Sequence, residues 1–240
     1  MTGYLADLCG GCGGVARAAS QRGLRGRLWD TSVAQHLDIT LPQTLTTLRR
    51  DAASAKLRAA MLAPECKSWS TMQFLTSAIR SQSQPWGLPG LQAARLCTVQ
   101  QGNKLMRATL RIVRMLLHHK VPFCVEHPAG SLFWATKEAQ ALEKHPAVRV
   151  VVIDQCAFNT KWRKRTRLMF GWCDDLDLNA LAAYKCNSSG TCVYTGRRHV
   201  RLEGKAPGSS ASMTAIAQTY PPRLSPQNAT VLVTAARDQH

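Results

Sequence analysis

Apolar residues along this chain fall into two rhythms, and their alternation outlines a fold. Short runs read as strands: Tyr4-Leu-Ala-Asp-Leu-Cys9, Gly26-Arg-Leu-Trp-Asp30, Ala60-Met-Leu-Ala63, Val121-Pro-Phe-Cys-Val125 and Val148-Arg-Val-Val-Val-Ile-Asp154, with Thr166-Arg-Leu-Met-Phe170 as a further one. The run at 148–154 is β-branched and continuous, the pattern of a strand buried on both faces. Helical spacing occupies the intervals: Gly13 to Arg22, stopping at Gly23; Thr40 to Ala60, after Pro42; Leu96 to Lys120; and Ser131 to His145. In the third interval Leu105, Leu110, Ile112, Val113, Leu116 and Leu117 suit a helix, with Arg107, Arg111 and Arg114 on other faces. Residues 67–92, of mixed polarity with Pro85 and Pro89, read as a long surface loop, and long loops in compact domains are often functional.

Strands alternating with helices predict an α/β protein with a doubly wound, mostly parallel sheet, whose ligands sit at the carboxyl ends of the strands. The chain's unusual residues fall at those ends: the glycines after Cys9, Asp30, Pro64-Glu-Cys66 and Glu126-His-Pro128. Beyond Gly171 the pattern dissolves, apart from a serine-rich stretch near 208–212 and a final apolar run from Ala229 to Ala236. The expected organisation is a core over 1–170 and a small irregular C-terminal segment over 171–240.

Composition narrows the partners. A chain of 240 residues that is 45% hydrophobic is long enough to bury a core, and no apolar run approaches the eighteen or so residues of a membrane span. Met1 is followed almost at once by the first strand, so the expectation is a soluble intracellular protein with no membrane partner, nuclear in a eukaryote and otherwise cytoplasmic. Lys and Arg number 31 against 14 Asp and Glu, a net charge of +17 that favours a polyanion, with nucleic acid the default and a merely basic soluble protein the alternative. The densest basic knot is Lys161-Trp-Arg-Lys-Arg-Thr-Arg167.

Nine cysteines at these spacings do not make a disulfide scaffold, and reduced thiols are expected. Cys9-Gly-Gly-Cys12 has glycine fillers and two more glycines behind it. That favours a loop in which Asp7, Gly10, Gly11 and Gly13 bring backbone close to a cofactor, rather than a redox pair. The loop alone does not separate a dinucleotide from S-adenosylmethionine. In the tail, Cys186-x5-Cys192-x6-His199, with Cys173 as a fourth ligand, offers a zinc set. The Cys-x5-Cys spacing is not a common structural one, so scattered thiols are the preferred reading and no metal is assigned.

Taken in order, Asp7-Leu-Cys-Gly-Gly-Cys-Gly-Gly14, Ala63-Pro-Glu-Cys-Lys-Ser-Trp-Ser70 and Glu126-His-Pro128 resemble the DNA cytosine-5 methyltransferase family. Its corresponding motifs are typically Asp-Leu-Phe-x-Gly-x-Gly-Gly, Pro-Pro-Cys-x-x-x-Ser and Glu-Asn-Val or Glu-Asn-Pro. Trp29-Asp30, Asp38-Ile-Thr40, Gly102-Asn103 and Asp154-Gln-Cys-Ala-Phe158, followed by Trp162-Arg-Lys-Arg-Thr-Arg-Leu168, add to a likeness with a divergent, mobile-element- or virus-like branch, over residues 4–170. The resemblance implies a Rossmann-like methyltransferase fold and S-adenosylmethionine as cofactor, held by Asp7, Gly10, Gly11, Gly13, Asp30, Asp38 and Pro64. It implies Cys66 as the nucleophile that adds to C6 of cytosine, and Glu126 as the acid at N3. Arg165 and Arg167 match its Arg-x-Arg, which positions the target base, while Ser68, Ser70, Arg163 and Lys164 are expected to contact nucleic acid. Glu65 stands in place of the second proline, His127 in place of asparagine, and about seventy residues follow Phe170. A catalytically inactive nucleic-acid-binding protein of the same fold and an RNA methyltransferase therefore stand beside the DNA enzyme.

Overall fold

The sheet grows outward from one wholly buried strand, β1 (Tyr4–Leu8). In the computed structural model, which describes residues 2–71, 78–188, 190–204, 213–217, 221 and 223–239, β2 (Arg25–Trp29) pairs with one edge of β1 and β3 (Leu57–Leu62) with the other, both in parallel. β4 (Phe123–Pro128) lies parallel to β3. The outer strands are β5 (Val148–Asp154) and β6 (Arg165–Gly171), joined as an antiparallel pair in which β6 lies against β4 and β5 forms the edge. The six-stranded order is β2-β1-β3-β4-β6-β5, mostly parallel.

The period-2 alternation of strand side chains divides the apolar residues between two clusters. Tyr4, Ala6, Leu8, Leu62, Phe123, Val125 and Met169 pack with α2 (Pro42–Ala53), α3 (Ala93–His118) and α4 (Lys137–Glu143). Leu5, Ala59, Met61, Cys124, Leu168 and Phe170 pack with α1 (Gly14–Ser20), α5 (Asp175–Ala182) and α7 (Leu224–Asp238). Two helices beyond residue 170 thus share the core of the sheet, and the short α6 (Met213–Ile216) precedes α7. No helix among the described residues is long and apolar enough to cross a membrane.

Several element boundaries differ from the sequence pattern for identifiable reasons. The helix expected over 40–60 ends at Ala53, where Ala55 takes a left-handed φ of 54° and the chain re-enters extended backbone at Leu57. The strand over 148–154 is not buried on both faces: the antiparallel return of β6 leaves β5 outermost, with Arg149 and Val150 exposed. The expected helix over 131–145 divides into a 3-10 turn and α4, because Thr136 accepts from the Ala139 amide and restarts the helix. β4 continues through Pro128, so Glu126 and His127 lie within the strand rather than after it. The helix α5 carried too little periodicity to be read, with Asp174 accepting from the Leu176 amide at its start and only Leu178 and Leu181 buried. The serine-rich stretch 208–212 lies outside the described residues.

Because the chain runs from β1 to β2 on one side and then returns to β3 on the other, strand order reverses at β1. The carboxyl ends of β1 and β3 therefore diverge around a crevice, where open α/β sheets bind ligands.

Candidate active site

The loop leaving β1 is shaped around Asp7. Its Oδ2 accepts from the Ala16 amide of α1 at 3.0 Å, while Oδ1 is buried with no hydrogen-bond partner. A Cβ at Gly10 would overlap this carboxylate, and Gly13, the residue capping α1, has φ 68°, so the tight path needs glycine at both positions. Burial pushes the Asp7 carboxyl up to about 6 against the pull of the Ala16 and Val15 amides. Cys9 also takes a left-handed φ, 59°, and its thiol is pushed up to about 12 by burial and then by Asp30, Asp38 and Asp7. Cys9 and Cys12 are both free thiols, the first half-buried and the second exposed.

At the end of β2 the Gly11 amide donates to Asp30 Oδ2 at 2.8 Å, and the Ser32 amide and hydroxyl both donate to Oδ1. Burial raises the Asp30 carboxyl, but these hydrogen bonds overcome it and hold the group below the usual carboxylate range. Each oxygen can accept again, so Asp30 retains capacity toward a hydroxyl. Asp38 accepts from the Thr40 amide at 2.7 Å.

The loop after β3 carries the candidate nucleophile. Ala63 N donates to Leu8 O at 3.0 Å, and Trp69 N donates to Cys66 O at 3.0 Å, closing a 3-10 turn at Lys67–Trp69. Fully buried Arg80 locks that turn: it donates to the Ser68 carbonyl at 2.8 Å, the Ser68 hydroxyl at 3.1 Å and Asn103 Oδ1 at 2.7 Å, and lies 3.7 Å over the Trp69 ring. Burial raises the Cys66 thiol; Lys164 opposes this, and Glu126 and Glu65 add to it. Glu126 is raised by burial, again opposed by Lys164, and its Oε1 is buried without a partner. His127 is wholly buried, edge-on to Phe133 and Trp134 at 5.7 and 6.4 Å. Burial first, and Lys164 second, depress its pKa to about 3, so the ring is neutral.

These loops enclose a cleft of about 590 Å3. Of the residues singled out in the sequence, Asp7, Gly10, Gly11, Asp30, Asp38, Pro64, Cys66, Glu126 and Lys164 line it, and Trp29, Leu37, Ile39 and Leu105 supply apolar wall. Five carboxylates, Asp7, Asp30, Asp38, Glu65 and Glu126, face one cation, Lys164, in a chain with 31 basic residues and 14 acidic ones.

The structure does not bring the remaining candidates into the cleft. Gly13 stands behind it at the start of α1. Ser68 is buried and bonded by Arg80, so its hydroxyl serves the loop rather than a surface contact; Ser70 follows the same turn, part-buried. Arg163 and Arg165 lie 3.3 and 3.5 Å from buried Asp154, tying β6 to the end of β5. Arg167 pairs with Glu143 of α4 at 2.7 Å and lies over Trp134, and it does not line the cleft. Lys164, part of the basic run, instead lines the cleft near Cys66 and Glu126 and donates to Ala217 O at 3.0 Å. Arg80 carried no signal in the sequence: an isolated arginine in a polar loop looks solvated.

A second constellation lies outside the cleft. Cys186, Cys192 and His199 are gathered with Cys156, not with Cys173, whose Sγ sits against Gly171 O at 3.4 Å. Comparison with models of known protein families and with curated protein sequences returned no match.

Proposed function

We propose that this protein transfers a methyl group from S-adenosylmethionine to C5 of cytosine in DNA, on a doubly wound, Rossmann-like methyltransferase sheet. The observation that carries the reading is the acidic cleft in a strongly basic protein: the basic surface suits a polyanion, while the cleft suits a cationic or neutral ligand. A dinucleotide would place its pyrophosphate among five carboxylates with one lysine to offset them. A sulfonium ligand reverses that sign.

The residues present fit this ligand. Apolar Trp29, Leu37 and Ile39 offer a slot for a purine, Asp30 has accepting capacity for ribose hydroxyls, and the glycine loop leaves room for close backbone approach. Bound S-adenosylmethionine would supply the electrophilic methyl group. The Cys66 thiolate adds to C6 of a cytosine turned out of its stack, Glu126 holds the N3 proton, and Lys164 favours the thiolate by its charge. Once C5 has taken the methyl group and the cofactor has left as its neutral thioether, loss of the C5 proton to solvent would break the C6–S bond and release Cys66. A second reading, a nucleic-acid-binding protein of the same fold without the reaction, has one observation in its favour: burial, the largest influence, and then Glu126 and Glu65 raise the Cys66 thiol, and Lys164 and a backbone hydrogen bond do not outweigh them. Incubation with methyl-labelled S-adenosylmethionine and either DNA or RNA tests the proposal. Label in 5-methylcytosine of DNA supports it; label in RNA alone moves the substrate; no label, despite binding of both ligands, favours the second reading.

A further inference from the structure

Three thiols and one imidazole meet beyond the carboxyl end of β5. Cys156 lies in the 3-10 turn that follows the strand, and Cys186, Cys192 and His199 come from the irregular stretch after α5. Their ligand atoms all lie within 4.8 Å of one another, with Cys186 Sγ and His199 Nε2 3.7 Å apart. A tetrahedral zinc with bonds of about 2.3 Å to sulfur and about 2.0 Å to nitrogen needs its ligands roughly 3.5–3.8 Å apart, a modest contraction from this arrangement. Cys124, a thiol acting as core filler, is absorbed into an apolar cluster; Cys156, Cys186 and Cys192 form a buried cluster of their own.

We propose that Cys156, Cys186, Cys192 and His199 bind one Zn2+ in a closed four-coordinate site that staples this stretch to the end of β5. The surrounding backbone holds the ligands in place. Cys192 sits in a turn closed by Cys192 N to Arg197 O and Gly196 N to Cys192 O, both 2.8 Å. The Cys186 amide donates to Asp154 Oδ2 at 2.8 Å, which fixes one ligand to the strand end. On binding, three thiols release their protons to solvent and the imidazole binds neutral, so the occupied site carries one net negative charge, offset by nearby Arg163 and Arg165. Four protein ligands leave no open position, so the metal is structural. The same turn presents exposed Arg197 and Arg198, and the site therefore fixes a basic loop.

The test is metal content and cobalt substitution on the full chain. One zinc per chain is expected after purification without chelator. Co2+ exchanged into the site should show thiolate-to-cobalt charge-transfer bands and tetrahedral d–d bands. Cys192→Ser and Cys186→Ser should lose or weaken these bands, His199→Cys should keep the metal with an altered spectrum, and Cys173→Ser should change nothing. Should the serine variants fail to fold, chelator treatment of the wild type substitutes for them, with protease cleavage between Cys186 and Glu203 expected to follow metal removal. A chain that binds neither metal, a Cys192→Ser spectrum identical to wild type, or a disulfide between two of the three cysteines would overturn the proposal.

Discussion

The buried guanidinium of Arg80 donates from Nε to the main-chain carbonyl of Ser68 at 2.8 Å, just beyond the candidate nucleophile Cys66. This one side chain also bonds Asn103 and the Pro85 and Val99 carbonyls, so it joins the loop after β3 to α3. Arg80→Met would leave several buried acceptors unpaired, each costing about 1–3 kcal/mol. A loss of about 3 kcal/mol or more in denaturant unfolding is expected, against about 0.5 kcal/mol or less if the loop were held by other contacts.

Lys164 and Glu65 bear on the same thiol with opposite signs. Lys164→Met removes the one cation favouring the thiolate, so alkylation of Cys66 by iodoacetamide near neutral pH should slow about tenfold. Glu65→Gln removes an exposed, solvent-screened carboxylate and should speed it about twofold to threefold. Alkylation rates followed against pH in a background where the other exposed cysteines are serine would check both; equal rates in all three proteins would contradict the electrostatic assignment.

Asp7 makes stability depend on pH in an unusual direction. Its folded pKa, about 6, lies above the ordinary value of 3.8, so the folded state binds the proton more tightly. That stability is fully present below about pH 4 and is lost as pH rises through about 6, some 3 kcal/mol in all. Asp7→Asn keeps an acceptor for the Ala16 amide without the charge. Relative to wild type it should gain denaturant resistance as pH is raised across this window, and a pH-independent difference would refute the assignment.

The exposed pair Arg197 and Arg198 lies on the loop that carries Cys192 and His199. If this loop touches phosphates, replacing both with glutamine should reduce the slope of log affinity against log salt for duplex DNA by about 2. An unchanged slope would place the phosphate contacts elsewhere.

Much of the cleft was legible in the sequence because its residues sit at strand ends, where composition changes abruptly. The glycines, Asp30 and Pro64-Glu-Cys66 each follow an apolar run, Asp7 stands one residue before the end of β1, and strand order brings such ends together. What was not legible depends on partners distant in sequence. Arg167 has the same local appearance as Lys164, yet Glu143 draws the first away from the cleft while the second enters it. Cys156 stands in a motif next to β5, and nothing local says that it meets Cys186 and Cys192, some thirty residues on. The edge position of β5 was hidden for the same reason: four valines and an isoleucine describe a strand but not which neighbours it has.

The most direct test of the central claim is covalent trapping on DNA containing 5-fluorocytosine, whose C5 fluorine cannot leave as the proton does. With S-adenosylmethionine present, wild type should form an adduct that survives denaturation, and Cys66→Ser or omission of the cofactor should abolish it. Tight binding of the same DNA with no adduct under any of these conditions would contradict cytosine C5 methylation of DNA by this cleft.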